Sequence, residues 1–385
     1  MNFQKYNNTN YILGKGSINY IREYKDKRIA LVVDNRVIEA LNLKDKLFNE
    51  ILKGCDYSLI CNIDKEPSID MLDPYISKIQ KYNPDIIVAI GGGATIDAGK
   101  VLWLFSELPE STWDNIFSPN EIEKFTGKVS LIAIPTTSGT GSETTSAAVV
   151  KDKDKRKNLI LSDEIIPTKA ILDFDLLKSL PASVVIYSGV DALAHAIESA
   201  VSQIASPFVE MNSICAAVEI IENLQRSVEG NQESREKMHI AATIAGMGIN
   251  NSITGMAHGM DYAGGDFNLP HGLVTGMLLP YTMEYLIPQP VYEKIATRLG
   301  IQGDYIEKQK KLVNIIFDIY NKIEMPICFK EIAIDEKSYL NHIDEYVKLA
   351  MKDPNNLLAP KEVNEKVLKE LFLKFYYGKM GEEHE

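Results

Sequence analysis

The spacing of apolar residues along the chain changes near its middle. Up to about residue 180, short runs rich in β-branched residues alternate with stretches whose apolar positions recur every three to four residues. This alternation is typical of βαβ units around a parallel sheet. The predicted strands lie at residues 29–33, 85–90, 130–134 and 170–172, and the clearest helix between them at residues 69–82. The first half is therefore predicted to be α/β.

The second half has the period of long helices. Such segments cover residues 190–202, 209–224, 234–250, 305–323 and 361–376. The change falls at residues 179–182, where Pro181 bars the continuation of a preceding helix and suits the start of the next one. We therefore expect an α/β N-terminal domain over residues 1–181 and an all-α C-terminal domain over residues 182–385.

Composition and charge narrow the class of protein. The 385 residues exceed the size of a single core, and 45% hydrophobic and 24% charged residues are typical of a globular chain. A net charge of −12 argues against a nucleic-acid partner, which would need a basic face. The N-terminus has no signal pattern and no apolar run reaches the length of a bilayer, so we predict a cytoplasmic protein without a membrane partner. The four cysteines lack the spacing of a zinc or redox motif.

Two polar loops follow predicted strands. Gly91, Gly92 and Gly93 come directly after one strand and open a helix, so their backbone amides can approach a pyrophosphate at the helix N-terminus. Residues 135–144 follow the next strand with six hydroxyl side chains and two glycines. Open parallel sheets bind ligands at the carboxyl ends of their strands. Tight turns and simple helix caps are the alternative for both loops.

Asp34 stands at the end of the first predicted strand, residues 29–33. A carboxylate at that position can accept hydrogen bonds from an adenosine ribose and repel an added 2′-phosphate. The alternative is a turn former, which is the more common role of a lone aspartate.

Three histidines and one aspartate have the character of metal ligands. Asp191 and His195 stand four residues apart on one helix face that is otherwise made of small apolar side chains. His258 and His271 also have small or apolar neighbours, and glycine follows each of them. A divalent cation would satisfy a carboxylate and imidazoles on an apolar face. Nitrogen and oxygen donors suit Fe(II) or Zn(II), and each histidine alone could instead be an ordinary core residue.

Together these stretches resemble the iron-containing (group III) alcohol dehydrogenases over nearly the whole chain. The matching pieces are GKGS at 14–17, GGGATIDAGK at 91–100, PTTSGTGSE at 135–143, VDALAHAIE at 190–198, AHG at 257–259, PHG at 270–272 and LLP at 278–280. The resemblance implies an α/β dinucleotide-binding domain, an all-α metal-binding domain and an active site in the cleft between them. It also implies a small alcohol or aldehyde substrate and a homodimer or larger homo-oligomer.

The resemblance assigns roles to particular residues. It implies metal ligation by Asp191, His195, His258 and His271. The expected cofactor is NAD rather than NADP, because the Asp34 carboxylate would repel a 2′-phosphate. The implied cofactor contacts are made by the glycine loop with Ala94 and Asp97, by the threonines Thr136, Thr137 and Thr140, and by Lys157.

Two positions depart from the family pattern. Ala94 replaces a usual serine, which removes a hydroxyl but leaves the backbone amides. Tyr262 stands where many members have a histidine, four residues after the third ligand. Because alcohol oxidation releases a proton, we expect Tyr262, or Asp261 beside it, to carry that proton, with solvent as the alternative.

Together, these expectations predict a metal-dependent alcohol dehydrogenase. It would transfer a hydride between NAD(H) and a small alcohol or hydroxy acid, with the metal acting as a Lewis acid. One alternative is a polyol or sugar-acid dehydrogenase, or a dehydroquinate-synthase-like lyase, on the same architecture. A non-catalytic metal or nucleotide binder is the alternative of another class.

Overall fold

A computed structural model of the chain describes residues 6–153 and 156–378. These residues form two compact units, Tyr6–Leu180 and the part of the chain that starts at Pro181. The first unit is α/β and the second is mainly helical, which confirms the predicted fold class.

A six-stranded parallel sheet organises the first unit, with strand order β1-β8-β5-β4-β2-β3. The strands of this unit are β1 (Asn10–Leu13), β2 (Arg28–Val33), β3 (Asp56–Asn62), β4 (Ile86–Gly91), β5 (Ser130–Pro135), β6 (Ala147–Lys151), β7 (Lys157–Leu161) and β8 (Lys169–Leu172). Its helices are α1 (Asn35–Ala40), α2 (Leu43–Asp45), a π-helical turn (Lys46–Ile51), α3 (Ile69–Tyr82), α4 (Gly93–Glu107) and α5 (Trp113–Ile116). The four strands predicted from sequence are β2, β4, β5 and β8, and the predicted helix 69–82 is α3.

Each face of the sheet has its own hydrophobic core, because successive side chains of a strand point to opposite faces. On β4, Ile87 and Ala89 pack towards α3 and α4. Ile86, Val88 and Ile90 pack on the other face, with the apolar residues of α1, α2 and the π-helical turn. The buried strands therefore appear in the sequence as continuous apolar runs.

The strand order reverses between β2 and β4. The chain runs from β2 outward to β3, then returns to the other side of β2 and continues through β4 and β5 to β8. Ligands of open parallel sheets bind at such a switch point, outside the carboxyl ends of the strands. Asp34 and the glycine loop directly follow the two strands concerned.

The charge run at residues 151–157 is only partly the solvated loop expected by default. Lys151 and Lys157 are the paired end residues of an antiparallel hairpin formed by β6 and β7. Asp154 and Lys155 lie outside the described residues. The expected loop is thus shorter than the run, because the strands extend into it.

Helices form nearly all regular structure of the second unit. They are α6 (Ala182–Val201), α7 (Pro207–Val228), α8 (Gln232–Asn250), α9 (Tyr262–Asp266), α10 (His271–Leu286), α11 (Pro290–Arg298), α12 (Tyr305–Lys322), α13 (Glu336–Ala350), α14 (Pro354–Leu357) and α15 (Glu365–Tyr377). Helix α6 packs against α7, α8 and α10. It begins at Ala182, eight residues before its predicted start, since Pro181 serves as its N-cap residue.

Helix α6 also corrects one expectation from the sequence. By length and composition alone, its 20 residues could cross a membrane, although no such run was expected. Its most apolar window is 78% buried within the fold, and the helix carries Asp191, His195 and Glu198. These properties are typical of a core helix.

Candidate metal and dinucleotide sites

Three elements of the second unit position the four predicted metal ligands. Asp191 and His195 lie one turn apart on α6, with their side chains buried. His258 starts a short 3-10 turn, His258–Met260. His271 is the first residue of α10, and its side chain is 37% exposed.

The polar atoms of these four side chains converge. Asp191 Oδ1 lies 3.8 Å from His195 Nε2, 3.6 Å from His258 Nε2 and 3.9 Å from His271 Nε2. The Nε2 atoms of His195 and His258 are 3.1 Å apart. The structure therefore brings together residues that lie up to 80 positions apart in the sequence.

These distances fit a single divalent cation. Nitrogen and oxygen ligands bind such a cation at about 2.1 Å, so atoms that share it must lie less than about 4.2 Å apart. Each separation given above satisfies that limit, and Asp191, His195 and His258 form a compact donor group by themselves. One carboxylate and three imidazoles suit Fe(II) and Zn(II) equally.

The electrostatics of the cluster favour an ionised carboxylate. Burial opposes the charge of Asp191, but the surrounding imidazoles hold the pKa of its carboxyl well below the usual range. Burial lowers the pKa of His195 to about 4, so its ring is neutral at pH 7 and has a lone pair to offer. Burial also acts to lower the pKa of His258, yet the carboxylates of Glu198 and Asp191 outweigh it and raise that pKa to about 10. A proton and a cation therefore compete for His258.

Partners behind the cluster hold several of its side chains. His258 Nδ1 lies 2.5 Å from Glu198 Oε2, and His271 Nδ1 lies 2.6 Å from Asp261 Oδ2. The hydroxyl of Thr275 donates to Asp191 Oδ1 over 2.9 Å. Sequence reasoning missed Glu198 and Thr275. Glu198 did give a signal, since it follows Asp191 and His195 at helical spacing on the same apolar face.

Glycines let the elements of the cluster approach one another. A Cβ atom on Gly272 would lie 2.2 Å from the carbonyl oxygen of Tyr187, and one on Gly255 would lie 3.0 Å from the Glu198 side chain. Only glycine permits these separations without a shift of the neighbouring atoms. The glycine after His271 thus allows the start of α10 to lie against α6.

The two predicted proton carriers are engaged elsewhere. Asp261 contacts His271, as described above, and the Tyr262 hydroxyl donates to Asp353 Oδ2 over 3.2 Å. Burial and the neighbouring Asp353 carboxylate raise the pKa of Tyr262. A phenol with a raised pKa stays protonated near pH 7, so it has no phenolate to accept the released proton.

A short segment around α14, residues 353–356, holds the turn that carries His258. Besides the bond from Tyr262 to Asp353, the Thr254 hydroxyl donates to Asn355 Oδ1 over 2.8 Å. Asn356 Nδ2 donates to the Gly259 carbonyl over 2.8 Å. We call this segment the 353–356 clamp.

The two polar loops of the first unit lie side by side. Thr136 N donates to the Gly91 carbonyl over 3.0 Å, and a Cβ atom on Gly93 would lie 2.7 Å from the Thr140 side chain. Thr137 lies beside Gly92. The Thr136 hydroxyl oxygen is buried and has no hydrogen-bond partner among the described residues. The N-cap residue of α4 is Gly92, which has no side chain to cap the helix, so the first-turn amides suit an anionic ligand.

Asp97 stabilises this loop pair from within the unit. Its carboxylate accepts from the Ser142 hydroxyl over 2.5 Å and from Val149 N over 3.0 Å. The buried Lys100 ammonium lies 4.0 Å from it. Both carboxylate oxygens thus have internal partners, so the structure favours a positioning role for the Asp97 side chain. Ala94 lies in the first turn of α4.

Asp34 and Lys157 have charged neighbours of their own. Asp34 N donates to the Ile90 carbonyl over 3.1 Å, which places Asp34 at the strand end beside the glycine loop. Its carboxylate accepts two hydrogen bonds from the Arg36 guanidinium, at 3.1 and 2.8 Å. Arg36 therefore neutralises the charge on which the predicted NAD preference depends. Lys157, at the start of β7, pairs with Glu66 at 3.6 Å.

Comparison with known proteins identifies the family. The model of the iron-containing alcohol dehydrogenases matches residues 8–174, and the C-terminal model of the same family matches residues 185–376. An NADPH-dependent butanol dehydrogenase of Clostridium saccharobutylicum is 32% identical over 95% of this chain and 96% of its own length. An alcohol dehydrogenase of Thermococcus barophilus is 31% identical over 96% and 98%. An iron-containing alcohol dehydrogenase structure from Thermococcus thioreducens aligns with a TM-score of 0.88 at 31% identity, covering 98% of this chain and all of that one. The chain therefore belongs to the iron-containing alcohol dehydrogenase family.

Proposed function

We propose that this protein oxidises small alcohols and reduces the corresponding aldehydes, with hydride transfer to or from a nicotinamide dinucleotide. The observation that carries the proposal is the convergence of Asp191 Oδ1 with the Nε2 atoms of His195, His258 and His271. Such a donor set suits a resident divalent cation.

The residues of the second unit would hold the cation and orient the alcohol oxygen. When bound, a divalent cation supplies Lewis-acid stabilisation of negative charge on that oxygen. Asp191 provides the charged ligand, and the imidazoles provide neutral ones. Thr275 holds the Asp191 carboxylate through its hydroxyl, and the apolar core around α6 excludes water from it.

The residues of the first unit would bind the dinucleotide. The first-turn amides of α4, including those of Gly93 and Ala94, suit the pyrophosphate. The hydroxyls of Thr136, Thr137 and Thr140 lie beside this helix start and can bond to the phosphate or ribose oxygens. Gly91 serves the packing itself, because a Cβ atom there would lie 2.3 Å from the Thr95 hydroxyl.

The choice between NAD and NADP would depend on Asp34 and Arg36 together. A lone Asp34 carboxylate would disfavour a 2′-phosphate, whereas the exposed guanidinium of Arg36 can pair with one. The butanol dehydrogenase relative is named as NADPH-dependent. We therefore propose that the NAD preference expected from Asp34 is weakened in this chain.

The metal, the location and the assembly are also proposals. The family name favours Fe(II), while the donor set itself would accept Zn(II). A cytoplasmic location stays a prediction from the sequence, and a homodimer or larger homo-oligomer stays a prediction from the family resemblance. Solvent is the preferred carrier of the released proton, since Tyr262 and Asp261 are engaged with Asp353 and His271.

An activity panel tests the proposal. Protein loaded anaerobically with Fe(II) is assayed with primary alcohols, aldehydes and hydroxy acids, using both NAD(H) and NADP(H). We expect stoichiometric change of the dinucleotide with small alcohols or aldehydes, and loss of turnover after chelation. Conversion without net dinucleotide change would instead support a lyase, and absence of turnover with every substrate would support a non-catalytic binder.

A further inference from the structure

His258 and His271 each have a carboxylate on the ring nitrogen that faces away from the cluster. Glu198 contacts His258 Nδ1 and Asp261 contacts His271 Nδ1, at 2.5 and 2.6 Å. Both carboxylates are nearly inaccessible, with side-chain exposures of 4% and 5%. Sequence reasoning assigned no role to Glu198 and considered Asp261 only as a proton carrier.

Glu198 uses both carboxylate oxygens as acceptors. Oε1 accepts from the backbone amide of Ala257 over 2.6 Å, while Oε2 faces the ring of the next residue, His258. One carboxylate on α6 thus fixes the backbone and the side chain of the turn that presents His258. Gly255 leaves room for it, because any Cβ atom there would press against the Glu198 side chain.

Asp261 uses only one of its oxygens. Oδ2 faces His271 Nδ1, whereas Oδ1 is buried without a hydrogen-bond partner within residues 6–153 and 156–378. Gly264 allows this placement, since a Cβ atom there would lie 2.2 Å from Oδ1. The two carboxylates therefore differ in the number of donors that each must satisfy.

We propose that Glu198 and Asp261 are positioning residues that fix the ring orientation and tautomer of His258 and His271. An ionised carboxylate only accepts, so it holds the ring proton on Nδ1 and leaves the Nε2 lone pair for a cation. The inference rests on the proposed metal site and assigns an additional role to residues that do not themselves reach the cation.

Amide substitutions separate this role from a simple effect of charge. Both Glu198→Gln and Asp261→Asn remove one negative charge near the cation. Glutamine has a single acceptor oxygen for two donors, so it must place its NH2 group against either Ala257 N or His258 Nδ1. Asparagine can still accept from His271 with its oxygen and place its NH2 group at the position that has no partner.

The experiment measures the dissociation constant of Co(II) by competition with a chelator, together with the Co(II) visible absorption bands. We expect Glu198→Gln to weaken Co(II) binding by about 10- to 100-fold and to shift the bands, and Asp261→Ala to weaken it by about 10-fold. Asp261→Asn should stay within about threefold of the wild type. Glu222→Gln is the matched control, because it removes an exposed carboxylate from α7.

The outcomes are distinguishable from failure of the metal site itself. Wild-type binding of one Co(II) that is lost in Asp191→Ala supports the site, whatever the positioning variants do. Wild-type affinity in Glu198→Gln would overturn the inference, and so would equal losses in Glu198→Gln and Asp261→Asn, which would indicate charge alone. If circular dichroism shows that Glu198→Gln does not fold, the comparison of Asp261→Ala with Asp261→Asn decides, and equal affinities overturn the inference.

Discussion

The role of a charged residue depends on its partner, and Asp34 is the clearest instance in this chain. From the sequence, its position at a strand end predicts selection of NAD through repulsion of a 2′-phosphate. In the fold, Asp34 both caps α1 and accepts two hydrogen bonds from Arg36. The pair is nearly neutral, and the Arg36 side chain is 66% exposed, so its guanidinium is accessible to an anion.

Replacing Arg36 by Ala should therefore increase the preference for NAD(H). Removal of a cation near a 2′-phosphate weakens the binding of NADPH by about 1 kcal/mol at a surface position. This corresponds to about a fivefold increase in the ratio of kcat/KM for NADH to that for NADPH. The measurement is that ratio in wild type and Arg36→Ala, with Arg22→Ala as a control for loss of an exposed arginine. A ratio that moves towards NADPH would contradict the account.

Several elements were not predicted from the sequence, and among them the 353–356 clamp is the one that holds the turn of His258. Its contacts to Thr254, Gly259 and Tyr262 span 91 to 101 positions of the chain. Asp-Pro-Asn-Asn by itself indicates only a turn or a helix start. Its contacts to the His258 turn arise from tertiary packing, which periodicity does not report.

The clamp changes the expected behaviour of Tyr262→Phe. If the role of Tyr262 is to hold the clamp through its hydrogen bond to Asp353, loss of that bond should lower the free energy of unfolding by about 1 kcal/mol. The rate of alcohol oxidation should then change little. A proton relay would instead lower that rate by about 100-fold. Thermal unfolding and the pH dependence of kcat measure the two effects.

A matched control exists for this variant. Tyr346 stacks on Tyr262, and its hydroxyl donates to Asp266. Tyr346→Phe removes a comparable buried hydroxyl that lies outside the predicted proton path. A large loss of rate in Tyr262→Phe, with a normal rate in Tyr346→Phe, would restore Tyr262 as the carrier.

For the whole molecule, the sequence predicted what local pattern determines. The apolar strands and the 3.6-residue period placed β2, β4, β5 and α3 to within a residue or two, because burial dictates those positions directly. Asp191, His195, His258 and His271 were found because polar groups on apolar faces need partners. Glu198 as a partner of His258, and Arg36 as a partner of Asp34, depend on separations and orientations that only the folded chain defines.

The central claim is that these four side chains hold one cation that alcohol oxidation requires. His271→Ala tests it most directly, because His271 is the most exposed of the three imidazoles and its loss leaves the buried core intact. The measurement is the Fe(II) content per chain after anaerobic loading and desalting, with alcohol-dependent dinucleotide reduction recorded on the same samples. The account predicts one Fe(II) and turnover in the wild type, and loss of both in a folded His271→Ala protein. Wild-type turnover by metal-free His271→Ala would contradict it.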